Sequence, residues 1–188
     1  VDALLSGKPI LEYDEAITAM EPIVLSLPFT IFRLWTIQEG YYTMSIKKFG
    51  MDRDIKVLVL NTEAGYALQN INSFFNDWNV EIYAIDVSSR QAKLAQTVVN
   101  EHNINATILV HDYITDIKKI PEIAEFIELN GGFDIAFLFN VWQWVSDTDK
   151  EKVLANVSAA LRADGLAVDL SFIRRTPEKP YGWEPTFY

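Results

Sequence analysis

The sequence predicts an open α/β domain, a doubly wound parallel sheet with helices laid against it. Three observations carry this. From Ile55 onward, short β-branched runs alternate with segments of helical period, the pattern of a parallel sheet joined by crossover helices. The segment boundaries carry the capping and breaking residues such elements need, among them Ser88, Pro121, Gly131 and Gly165. A length of 188 residues with 49% hydrophobic and 22% charged side chains suits a single globular core.

The elements follow in order. Residues 55–60 (IKVLVL) read as a buried strand, and Leu68, Ile71, Phe75 and Trp78, spaced by three, four and three, share one face of the helix after it. A second strand, residues 81–85 (EIYAI), stops at Asp86. Ser88 or Ser89 then caps a helix whose inner side carries Ala92, Ala95, Val98 and Val99. Turn-forming Asn103 and Asn105 lead into a third strand at residues 106–110. A helix over residues 121–129 opens on Pro121, which a first helical turn tolerates. Gly131 and Gly132 end it before a fourth strand at residues 133–139 (FDIAFLF). A long helix over residues 148–161 turns Val153, Leu154, Val157 and Leu161 to the core and breaks at Gly165. Residues 166–173 (LAVDLSFI) form the fifth strand.

Residues 1–50 read as a separate apolar, aromatic helical segment. Within it residues 23–37, interrupted by Pro28 and Arg33, fit a docked helix better than a signal peptide or a membrane span. Residues 51–173 form the α/β domain, and residues 174–188, with three prolines and a glycine, an irregular tail. With the chain ending soon after its fifth strand, that strand is expected to be an edge. It would be covered by the tail, by a second copy or by a partner protein.

A net charge of −10, spread along the chain, opposes phosphate backbones and argues against nucleic acid as a partner. No cysteine and only two histidines, His102 and His111, leave no disulfide framework and no expected metal site. The expectation is a cytoplasmic protein with no membrane partner.

Ligands of open parallel sheets bind beyond the carboxyl ends of the strands, where the strand order reverses. The stretches to weigh are therefore residues 61–67, 86–88, 111–113 and 140–144. Residues 57–67 (VLVLNTEAGYA) resemble the first motif of class I S-adenosylmethionine-dependent methyltransferases. In that motif a strand runs into an acidic-x-Gly-x-Gly-x-Gly loop around the methionine part of the cofactor. Asp86, 25 residues after Asn61, opens DVSSRQAKLAQ, which is similar to the second motif, whose carboxylate takes both ribose hydroxyls. HDY at 111–113 matches the place where an acidic residue meets the adenine amine. Residues 133–145 (FDIAFLFNVWQWV), then a helix and LRADGLAVDLSFI, resemble the fourth- and fifth-strand signature.

The resemblance spans roughly residues 50–173. It implies a Rossmann-like methyltransferase fold, S-adenosylmethionine as cofactor, and methyl transfer to an unidentified small-molecule or protein acceptor. It also implies cofactor contacts from Asn61, Glu63, Gly65, Asp86, Val87, Asp112, Tyr113 and Asn140. No catalytic residue is assigned, since in-line methyl displacement requires positioning more than an acid or base.

The departures are local. Asn61 stands where an acidic residue is usual, Glu63 and Ala67 where glycines are usual, and a glutamate there competes for the ligand's space. A second reading therefore stays open, a methyltransferase-like domain without turnover that serves as a binding or assembly subunit. A nicotinamide-dependent dehydrogenase is disfavoured because no G-x-G-x-x-G follows the first strand. Gly65 and Asp86 also have plain structural readings as turn and cap. His111 reads as a structural histidine before a base, Trp142 and Trp144 as ligand-stacking or core, and Trp35, Tyr41 and Tyr42 as core before a lid.

Overall fold

The computed structural model describes residues 54–169 and 186–187. The predicted N-terminal segment with Trp35, Tyr41 and Tyr42, the end of the predicted fifth strand, most of the tail and the Trp144 side chain lie outside the described residues.

Five parallel strands form the sheet: β1 (Ile55–Leu60), β2 (Val80–Asp86), β3 (Ala106–Val110), β4 (Phe133–Leu138) and β5 (Leu161–Asp169). A two-residue strand, β6 (Thr186–Phe187), pairs antiparallel with Val168 and Asp169 of β5. The order is β3-β2-β1-β4-β5-β6, so the chain builds outward from β1 in one direction, then returns to build in the other. That reversal puts the topological switch point between β1 and β4, the general location of ligands in such sheets.

Four helices connect the strands: α1 (Tyr66–Phe74), α2 (Ser89–His102), α3 (Pro121–Asn130) and α4 (Lys150–Ala160). Because strand residues alternate between faces, Leu58 and Leu60 join one cluster with Ile123 and Phe126 of α3 and Val153 and Val157 of α4. Val59 and Phe137 sit side by side in register on neighbouring strands, and Phe137 meets Phe75, just past α1, with ring centroids 6.5 Å apart. Both faces of β1 and β4 are thus covered, which is why those strands are apolar throughout. β3, at the edge, is only partly covered and leaves Val110 exposed.

Several sequence expectations are corrected. α1 ends at Phe74, so Phe75 and Trp78 are buried from the following turn and not from the helix. α4 ends at Ala160 and passes directly into β5, which places Leu161 and Gly165 in the strand. β5 then absorbs a register shift opposite Phe133 and Ile135, and this irregular start hid its first residues from a pattern reading. Leu154 is exposed, since Val153, Val157 and Ala160 already fill the inner stripe of α4. The capping expectations fare better: Ser88 Oγ accepts from the Gln91 N–H at 3.2 Å, Pro121 opens α3, and Gly131 closes it with φ 75°.

Candidate functional site at the strand exits

The connection from β1 to α1 turns through left-handed backbone at Asn61 (φ 70°), Glu63 (φ 46°), Ala64 (φ 58°) and Gly65 (φ 96°). An ordinary L-residue loses about 1–2 kcal/mol there, asparagine less. The loop thus keeps a tight turn suited to glycine while three of these four positions carry side chains. Hydrogen bonds from outside the loop hold it. The Asn61 N–H donates to Ile85 O at 2.9 Å and its side-chain amide to Phe139 O at 2.7 Å. The Thr62 N–H and hydroxyl donate to Asp86 Oδ2 at 2.9 and 2.7 Å.

Gly65 has a packing reason to remain glycine. A Cβ there would lie 2.7 Å from Val98 Cβ and 3.0 Å from Ala95 Cα, so the loop rests directly on α2.

Asp86 ends β2 fully buried. Its Oδ1 accepts from the Ser88 N–H at 2.9 Å while Oδ2 holds Thr62. Val87, half-buried, packs on the core cluster beside it. At the next strand exit the His111 N–H donates to Asp86 O at 3.0 Å, which ties β3 to β2 one residue before Asp112.

Asp112 is exposed and caps its own turn, accepting from the Ile114 N–H, the Thr115 N–H and the Thr115 hydroxyl. Partial burial raises its pKa, but these hydrogen bonds and the nearby His111 outweigh that and hold the carboxyl below its ordinary value. Tyr113 turns inward and is buried in the α3/α4 cluster. Asn156 of α4 fixes this turn, donating to Tyr113 O at 2.9 Å and Thr115 O at 2.7 Å.

Across the switch point, Asn140 follows β4 in left-handed backbone (φ 52°) and is buried. Its side-chain amide donates to Glu63 Oε1, so a hydrogen bond spans the exits of β1 and β4. Just beyond, the Trp142 indole N–H donates to Asp169 Oδ2 at the end of β5, and the half-buried ring packs on the core cluster.

Of the residues singled out in the sequence, Asn61, Glu63 and Asn140 are brought together directly, with Asp86 joined to them through Thr62. Asp112 stands one strand further along, and Tyr113 turns into the core. Thr62 escaped the sequence reading because a hydroxyl serving a carboxylate 24 residues away leaves no local signal. Asn156 and Asp169 escaped for the same reason.

The donor set bears on which ligand fits. Two carboxylates on neighbouring strand exits offer acceptors only, which suits hydroxyl and amine donors such as those of a nucleoside. Three donors already use Asp86, of about four lone-pair positions on a carboxylate, so a diol fits only if the Thr62 hydroxyl turns away. Among the described residues no group of three or more His, Asp or Glu could hold a metal ion.

Comparison with known proteins matches residues 57–165, more than half of the chain, to a family model described as a methyltransferase domain. No curated protein matches as a sequence relative. Among solved structures, PKMT2 from Rickettsia typhi in complex with AdoHcy superposes with TM-score 0.50 and 22% identity, over 69% of this chain and 24% of that one. An S-adenosylmethionine-dependent methyltransferase from Clostridium acetobutylicum superposes with TM-score 0.57 and 14% identity, over 83% and 55%. A SAM-dependent methyltransferase from Aquifex aeolicus gives TM-score 0.54 and 18% identity, over 74% and 68%. The chain thus spans about a quarter of the length of the Rickettsia protein. At these identities the likeness is one of fold.

Proposed function

The chain belongs to the methyltransferase-domain family, and from that premise we propose that it binds S-adenosylmethionine at the exits of β1, β2 and β3 and transfers the methyl group to a small-molecule or protein acceptor. The observation that carries this is the placement of Asp86 and Asp112 on adjacent strand exits beside the switch point. Asp86 takes the ribose hydroxyls once the Thr62 hydroxyl has turned aside, Asp112 lies toward the adenine amine, and Val87 supplies apolar contact. Bound at such a site, the cofactor supplies an activated methyl group on a sulfonium. The chain's own part is to orient it and keep water from it. Residues 51–173 hold this site. Among the described residues no helix is long and apolar enough to cross a membrane, and we assign the protein to the cytoplasm.

One observation favours a second reading. Glu63 stands at a close-approach position of the loop and is already bonded to Asn140 across the switch point. A domain that never opens there would serve as a binding or assembly subunit without turnover. Calorimetric titration with S-adenosylmethionine, S-adenosylhomocysteine and NAD, followed by transfer of labelled methyl to candidate acceptors, separates the readings. Binding of the sulfur compounds with transfer supports the enzyme, and binding without transfer to any acceptor supports the subunit. Binding of NAD alone defeats both.

A further inference from the structure

We propose that Glu63 and Asn140 form a latch over the switch-point crevice, and that Glu63, once released, selects a ligand carrying positive charge at that end. The inference rests on the cofactor reading above. Three observations converge on it. The bond joins the exits of β1 and β4, the two strands between which the chain reverses direction, and so spans the place where ligands of such sheets enter. Both partners sit in left-handed backbone, Glu63 at φ 46° and Asn140 at φ 52°. Strained conformations of this kind persist where the surroundings hold them, and they recur at ligand clamps and switches.

The two partners are also held unequally. Asn140 is buried and follows a fully buried strand, whereas Glu63 is half-buried in a loop. Opening therefore moves Glu63, and its carboxylate leaves an amide partner for whatever occupies the crevice.

A carboxylate exchanging a neutral amide for a ligand gains most from a cation. S-adenosylmethionine carries a sulfonium that S-adenosylhomocysteine lacks, and the two otherwise share the same skeleton. Glu63 is thus expected to favour the methyl donor over the demethylated product. The preference should be about tenfold, the scale of one partly exposed charge contact.

The test is calorimetry with both compounds on the wild type, Glu63→Gln, Glu63→Gly and Asn140→Gly. Glycine is chosen at 63 and 140 because it accepts the left-handed backbone, and melting curves verify that each variant folds. Glu63→Gln keeps the size and loses the charge, so the ratio of the two dissociation constants should fall toward one. Asn140→Gly frees the carboxylate, so S-adenosylmethionine should bind several-fold more tightly with its preference kept. Glu63→Gly should bind both compounds more tightly than the wild type.

Wild-type binding with both constants unchanged within twofold in Glu63→Gln and Asn140→Gly overturns the latch and leaves the cofactor reading standing. Binding of neither compound by any of the four proteins, Glu63→Gly included, overturns the cofactor reading and the latch with it.

Discussion

The two ends of the sheet solve the same problem differently. At the amino ends of the strands, buried Asp134 accepts from the Lys56 N–H at 2.8 Å and pairs with Arg162 at 2.7 Å. Arg162 also donates to Gly132 O and Asn130 O. There the positive φ angles fall on glycines, Gly131 and Gly132. At the carboxyl ends, left-handed backbone falls on Asn61, Glu63, Ala64 and Asn140, and buried polar groups are matched through side chains that a ligand could displace. One end is arranged for stability. The other holds strain and exchangeable bonds, which is how ligand sites differ from scaffold.

Substitutions should separate the ends. The largest effect is expected from Asp134→Ala, which strands an arginine and a backbone N–H. Chemical denaturation should show a loss of about 3 kcal/mol, with ligand affinity unchanged in the folded fraction. Gly65→Ala forces a Cβ against Val98 and Ala95 at a backbone angle that favours glycine. It should lose about 2–3 kcal/mol by the same assay, and here ligand binding should fall as well, since the loop moves.

Ala64→Gly has the opposite sign. Relief of left-handed strain, partly offset by a freer unfolded chain, should stabilise the protein by about 0.5 kcal/mol. A loss of stability there would mean the loop is not strained and would erase the contrast between the ends.

The smallest effect concerns pH. The Asp112 carboxyl is depressed in the folded protein, so its contribution is fully present above the ordinary carboxylate pKa of about 3.9 and fades as pH falls through the lower folded value. Denaturation midpoints of wild type and Asp112→Asn should differ at neutral pH and converge in acid. Lines that stay parallel would show that the Thr115 and Ile114 hydrogen bonds do not favour the ionised form.

Most of the scaffold could be read from the chain because its determinants are local. Strand runs such as residues 55–60 are buried on both faces and therefore apolar throughout, and Ser88, Pro121 and Gly131 mark helix ends by backbone chemistry that acts within a few residues. The misreadings sit where tertiary structure overrides the local pattern. Leu154 fits an apolar stripe by spacing but finds no facing layer, and Leu161 is drawn into β5 by pairing with Phe133.

The site was only partly legible for the same reason. The positions of Asp86 and Asp112 follow from where strands end. Their surroundings depend on partners far along the chain, and neither the Thr62 hydroxyl on Asp86 nor the bond from Asn140 to Glu63 could be inferred from either residue's neighbours.

Hydrogen exchange with and without S-adenosylmethionine tests the division between the ends most directly. Amides of residues 61–65, 86–88 and 140–142 should gain protection on binding, while those of residues 130–134 should not change. Protection confined to residues 130–134, or no change at either end at saturating concentration, would contradict a nucleoside site at the carboxyl ends of the strands.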